Sequence, residues 1–118
     1  MQKDREIQSI ALLTSHLPQA PLTYGIGDDC ALIENGNHSH VVTMDSLVEG
    51  VHFDEKWNPS DVGWKLVASN VSDIVAMGRK PKYCTFSISL PSNKRESWLP
   101  MFQKGFLEAL ETWNIHLV

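Results

Sequence analysis

Apolar residues recur at helical spacing in residues 4–16, where Ile7, Ile10, Ala11 and Leu13 share a face. This predicts a short amphipathic helix closed by Leu17-Pro18. Residues 18–25 (PQAPLTYG) hold two prolines and a glycine and read as irregular. Cys30–Ile33 then reads as a strand, Glu34–Asn37 as a turn, and His40–Met44, rich in β-branched residues, as a second strand. The two pair naturally as a hairpin. Residues 46–58 are irregular, with Leu47, Val48, Val51, Phe53 and Trp57 as apolar anchors. Ser60 offers an N-cap for a helix from Asp61 to about Met77, with Gly78 at C′ and Pro81 preventing continuation. Tyr83–Leu90 alternates Cys84, Phe86, Ile88 and Leu90 against Tyr83, Thr85, Ser87 and Ser89, the period of a half-buried strand. A last helix occupies roughly 94–113. Pro100 requires it either to begin near Ser97 or to kink. Ile115–Val118 starts another apolar strand.

The order helix, strand, strand, helix, strand, helix, strand describes an α+β or mixed α/β layer with helices packed on one sheet. At 118 residues this is one domain with one modest core. The last strand is followed by no turn residues and no polar tail. The expectation is therefore a chain cut in mid-element rather than a self-contained small protein.

Composition narrows the partners. With 42% hydrophobic and 20% charged residues the chain is globular, and a net charge of −4 opposes nucleic-acid binding, which needs a basic footprint. The basic clusters, Arg79-Lys80 with Lys82 and Lys94-Arg95, are short and read as solvated helix ends or loops. Cys30 and Cys84 lie in apolar runs outside any CxxC. Buried free thiols in a reducing cytoplasm are expected. The charged N-terminus lacks the apolar core of a signal peptide, and no apolar run approaches the ~18 residues of a membrane span.

The middle helix carries a stripe of Trp64, Val67, Ala68, Val71, Ile74 and Val75. Its other side carries Val62, Leu66, Ala76 and Met77, with Asp73 among them and Asn70 at the border. A carboxylate there is costly to bury alone. From the helix itself, a Lys/Arg partner, a cap and a metal all remain open. Two further acidic sites matter: Asp28-Asp29 follows Gly25-Ile26-Gly27 just before a strand, and Asp45 follows the strand ending at Met44, with Thr43 nearby. Each acid alone reads as a turn or strand-end cap. Together they form a self-repelling group that a divalent cation would neutralise, and hard oxygen ligands suit Mg²⁺ rather than Zn²⁺. The Gly25–Gly27 pair lacks P-loop spacing, although it permits close approach of a phosphate. His52, between apolar neighbours, reads as structural on its own. Trp57, Trp64, Trp98 and Trp113 are widely spaced and read as core.

The succession GIGDDCALI (25–33), TMDSLVEGVHF (43–53) and GWKLVASNVSDIVAMGRKP (63–81) resembles the N-terminal part of the thiamine-monophosphate kinase family. That family lies within the ATP-binding superfamily of aminoimidazole ribonucleotide synthetase, and the LVEGVHF stretch favours the kinases over their relatives. The resemblance implies transfer of the γ-phosphoryl group of ATP to thiamine phosphate, directly and in line, with Mg²⁺ ions bridging the phosphates. By motif match it implies Asp29, Thr43, Asp45 and Asp73 as metal-site residues, with Asp45 and Asp73 central to catalysis. It places His52 on thiamine phosphate, Gly25, Gly27 and Asp28 near the nucleotide phosphates, and Asn70 in a supporting position. At position 44 the family commonly has Thr, so Met44 could bind metal only through its backbone carbonyl. The implied fold is a mixed, mainly antiparallel sheet with helices on one face, pairing with a second copy into a dimeric barrel. A Gly-Gly-Asp motif and a C-terminal α/β domain are expected to follow residue 118. The alternatives are another synthetase of the superfamily, for selenophosphate or purines, and a non-catalytic nucleotide-binding or dimerisation module.

Overall fold

Asn58 opens the longest helix, α2 (Pro59–Ala76). Its side-chain oxygen accepts the Ser60 N–H at 3.1 Å and the Ser60 hydroxyl at 2.9 Å. The cap thus falls two residues before the expected Ser60, because Pro59 fits the first helical position, where its missing N–H costs nothing. The other end follows expectation. Gly78 adopts φ 71°, its N–H donates to Val75 O at 2.8 Å, and Arg79 N–H donates to Ile74 O at 3.3 Å. This is a Schellman closure, which favours glycine at C′.

The computed structural model describes residues 1–17 and 25–118. Of the expected irregular stretch 18–25, all but Gly25 lie outside the described residues. The helix expected at 4–16 is α1 (Gln2–Thr14), and its apolar stripe is uncovered among the described residues. The hairpin forms as predicted. β1 (Ala31–Asn35) pairs antiparallel with β2 (His38–Val42), from Ala31↔Val42 to Asn35↔His38 around a two-residue Gly36-Asn37 loop.

The strand expected over Tyr83–Leu90 is a correction. Only β3 (Tyr83–Cys84) has a ladder, parallel to β4 (His116–Leu117), in the terminal segment expected to be a strand. The expected single sheet is instead two separate two-stranded ladders among the described residues. Alternation reports which side chains meet the core, not whether a backbone partner lies alongside. Cys84, Phe86 and Leu90 are half-buried and Thr85, Ser87 and Ser89 are exposed, but Ile88, expected inside, is 41% exposed; Phe86 lies tilted against Phe106, ring centroids 4.8 Å apart. Yet β4 offers only two residues to pair with. After a 3-10 turn at Ser92–Lys94, α3 runs Trp98–Thr112. Pro100 is in its first turn, the first of the two arrangements expected.

The core is the seam between α2 and α3. Val62, Val67 and Val71 meet Phe102, Phe106, Ala109 and Leu110, with Ile115 closing one end. Trp64, Trp98 and Trp113 pack around it, as expected, whereas Trp57 is 40% exposed. Two glycines allow the approach. A Cβ on Gly105 would overlap the Ser60 carbonyl, and one on Gly63 would lie 2.8 Å from the Phe106 nitrogen. Those neighbours are backbone and cannot rotate away. Gly105→Ala is expected to cost about 3 kcal/mol, the upper end for overpacking. Chemical denaturation beside an exposed control, Glu108→Ala, measures it.

Candidate active site

Of the candidate residues, Asp28, Asp29, Thr43 and Asp73 gather where the hairpin meets the C-terminal end of α2. The last four carbonyls of a helix lack intrahelical partners. In α2 the Schellman closure takes those of Ile74 and Val75. The Asp73 carbonyl is taken by Cys30, whose buried thiol donates to it at 3.2 Å. Thr43 Oγ1, just beyond β2, donates to the Asp29 carbonyl at 3.3 Å, closing the open end of the hairpin. Arg79 adds a bond to Ser39 Oγ at 2.9 Å. Asp28, Asp29, Cys30, Thr43 and Asp73 are thereby brought into one neighbourhood.

The electrostatics agree. Burial pushes the Cys30 thiol up, a hydrogen bond with Thr43 pulls the other way, and the carboxylates of Asp73, Asp29 and Asp28 push it up further. Three negative charges thus act on one thiol. Asp73 is half-buried, and no basic side chain forms an ion pair with it among the described residues. Asp28 and Asp29 are exposed, and Asp28 Oδ1 accepts the Asp29 N–H at 2.8 Å.

Asp45 and His52 lie further along the connection between β2 and α2, with no hydrogen bond to this cluster among the described residues. Asp45 is exposed. Its Oδ1 accepts the Ser46 N–H at 2.8 Å, which orients the carboxylate and leaves the other oxygen open. Met44 is 90% exposed. His52 Nδ1 accepts the Val48 N–H at 2.9 Å, so the proton of the neutral ring sits on Nε2. Asn70 turns its amide back to the Leu66 carbonyl at 2.9 Å. Gly25 and Gly27 flank the turn before β1, where Asp28 N–H donates to Gly25 O at 3.3 Å. A Cβ on Gly27 would meet nothing within 4 Å, so the backbone there is open to a ligand.

Among the described residues, no three His, Cys, Asp or Glu side chains converge into a metal-holding group. The donor set is nonetheless all hard oxygen: the carboxylates of Asp28, Asp29, Asp45 and Asp73 with the Thr43 hydroxyl. That chemistry fits Mg²⁺, which takes one or two carboxylates and fills its shell with water and phosphate. Two residues gain a role only in the structure: Cys30, a buried thiol by composition, directly follows GDD, and Lys65 is a cation between Trp64 and Leu66 on an apolar helix.

Comparison with known proteins places this geometry in a family. The model of the AIR synthase related protein, N-terminal domain, matches residues 27–118, and the chain belongs to that family. Within it, the chain is similar to thiamine-monophosphate kinases. That of Buchnera aphidicola subsp. Acyrthosiphon pisum is 43% identical over 95 residues, 80% of this chain and 29% of the relative. That of Haemophilus influenzae is 39% identical over 94 residues, 79% of this chain and 28% of the relative. The solved structure of AaThiL complexed with AMPPCP and TMP superposes with a TM-score of 0.86 at 35% identity, covering 96% of this chain and 35% of that one. The chain spans less than a third of the length of these two kinases.

The thiols set a pH limit on stability. Burial raises both Cys30 and Cys84 above the ordinary 9.0. Above pH 9 the unfolded state therefore releases thiol protons that the folded state keeps. Stability is expected to be complete below that pH and to fall as pH rises past it. Denaturation midpoints from pH 8 to pH 10.5 measure the decline, which should flatten in a Cys30→Val/Cys84→Val variant.

Proposed function

We propose that this chain is the N-terminal, nucleotide- and metal-binding part of a kinase that phosphorylates thiamine phosphate to thiamine diphosphate with ATP. A phosphate oxygen of thiamine phosphate attacks the γ-phosphorus directly and in line, the bond to the β-bridging oxygen breaks, and ADP leaves. The observation that carries this reading is Asp73: a half-buried carboxylate with no cationic partner among the described residues, whose backbone carbonyl is held by the Cys30 thiol next to Asp28 and Asp29 in sequence. A half-buried carboxylate without a cationic partner beside two exposed ones is an arrangement that a divalent cation would suit. The AaThiL complex with AMPPCP and TMP supports the substrates.

Asp29, Thr43, Asp45 and Asp73 hold the metals, with the Met44 backbone carbonyl beside them, and Asp45 and Asp73 are the catalytic pair. Mg²⁺ held by these residues would neutralise the charge that develops on the transferring phosphoryl group. Gly25, Gly27 and Asp28 approach the nucleotide phosphates. His52 donates from Nε2–H to the phosphate of thiamine phosphate. The remaining ligands, a Gly-Gly-Asp motif among them, belong to the part of the kinase length that this chain does not span. Two copies pair their sheets into a barrel, a reading supported by residues 85–90, which have no ladder partner among the described residues and leave Ile88 41% exposed. The free thiols fit a cytoplasmic enzyme.

The test is the full-length protein with ATP, Mg²⁺ and thiamine phosphate. Thiamine diphosphate and ADP are expected in equal amounts. Turnover of selenide or a purine precursor in place of thiamine phosphate moves the chain to another branch of the superfamily, and no turnover of any of them favours a binding module. Asp45→Asn and Asp73→Asn should each lower kcat roughly 100-fold or more. Near-normal rates at saturating Mg²⁺ would remove them from the metal site. The isolated 118 residues should show no measurable turnover.

A further inference from the structure

We propose that Lys65 is a positioning residue that sets the loop carrying His52, and through it the acceptor phosphate. This rests on the reading above in which His52 meets that phosphate. Lys65 stands in the second turn of α2, half-buried between Trp64 and Leu66. Its ammonium forms no ion pair among the described residues. Instead Nζ donates to the His52 carbonyl at 2.8 Å and lies 4.8 Å from the centroid of the Trp57 ring. A hydrogen bond from a charged donor to a carbonyl is about twice as strong as a neutral one, and the ring face adds a cation–π contact. The positive charge is thus spent on holding one peptide group in place.

That peptide group belongs to a tightly closed turn. Val51 and His52 N–H both donate to Val48 O, at 3.1 and 2.9 Å, and Gly50 N–H donates to Phe53 O at 2.7 Å. Inside the turn, Val48 N–H holds His52 Nδ1, which leaves Nε2–H as the ring's remaining donor. The turn is tied toward α3 by Phe53, 6.5 Å from Trp98, and by the Glu49–Lys94 ion pair at 2.6 Å. Lys65 supplies the hydrogen bond that ties it to α2. Eight residues further along the same helix is Asp73, about 12 Å away at 1.5 Å rise per residue. A single rigid helix therefore carries both the metal-site carboxylate and the clamp on the substrate-binding loop. In-line transfer depends on fixing the acceptor relative to the metals, and small displacements there are costly.

The experiment compares Lys65→Met, which keeps the apolar stem, with Lys65→Arg, which keeps a charged donor, in the full-length enzyme. Lys65→Met should raise KM for thiamine phosphate about 10-fold with KM for ATP unchanged, and Lys65→Arg should recover part of the loss. In parallel, ¹⁵N NMR of the His52 ring and amide exchange of residues 48–53 report the loop without activity. Lys65→Met should lose the fixed Nε2–H tautomer and speed exchange about 10-fold. If the wild-type enzyme leaves thiamine phosphate untouched, the functional reading fails, and the NMR and exchange data still decide the role of Lys65. An unchanged ring and loop in Lys65→Met overturns the proposal. So does an equal rise in both KM values, which marks general destabilisation.

Discussion

The close crossing of α2 and α3 is the constraint on which the other placements depend. Gly63 and Gly105 let one backbone rest against the other, and the apolar seam from Val62 to Ile115 forms because the helices are that near. An added methyl at Gly105 collides with a peptide carbonyl rather than a side chain, so the contact cannot relax by changing a rotamer. Once the crossing is fixed, the direction of α2 is fixed. α2 in turn carries Asp73 near one end and Lys65 near the other.

The loops and the hairpin attach to this helix through polar groups that the helix leaves unpaired. The Asp73 carbonyl, orphaned at the helix end, is satisfied by the Cys30 thiol. The Lys65 ammonium, without a carboxylate partner among the described residues, is satisfied by the His52 carbonyl. Both tethers grip backbone. Carboxylates that a metal would need are left uncommitted: Asp73 has no ion pair among the described residues, and Asp45 keeps an oxygen open. Stability and chemistry are thereby assigned to different atoms of the same residues.

Local rules recovered much of this from the sequence. The Gly78 helix stop, the hairpin around Gly36-Asn37, and the start of α3 ahead of Pro100 each follow from backbone preferences of a few adjacent residues. The cap differs for a local reason: the Asn58 side chain reaches forward past Pro59 to the Ser60 N–H and so displaces Ser60. The other departures arise where the outcome depends on distant partners. Residues 85–90 have the alternation of a strand, but pairing requires a neighbour that alternation does not encode. The acidic residues stand out in the sequence through their motifs, and the structure brings Asp28, Asp29 and Asp73, but not Asp45, into one neighbourhood. The physical connection through Cys30 and Thr43 is not legible in the sequence, since it crosses 43 residues of chain in one case and 14 in the other.

The absence of a closed metal-holding group among the described residues follows from the charges themselves. Carboxylates clamped at ligand distance from one another would repel strongly at low effective dielectric, and the fold would bear that energy whenever the site stood without cation or substrate. Anchoring Asp29 and Asp73 by their carbonyls avoids this penalty: the backbones are fixed in place, while the charged ends of Asp28, Asp29 and Asp45 remain in solvent. In the kinase proposed above, the phosphates of ATP would share a coordination shell with these exposed carboxylates, so the chain itself need not hold them at ligand distance from one another. A preformed acidic cage would bind the metal at the expense of the fold that positions it.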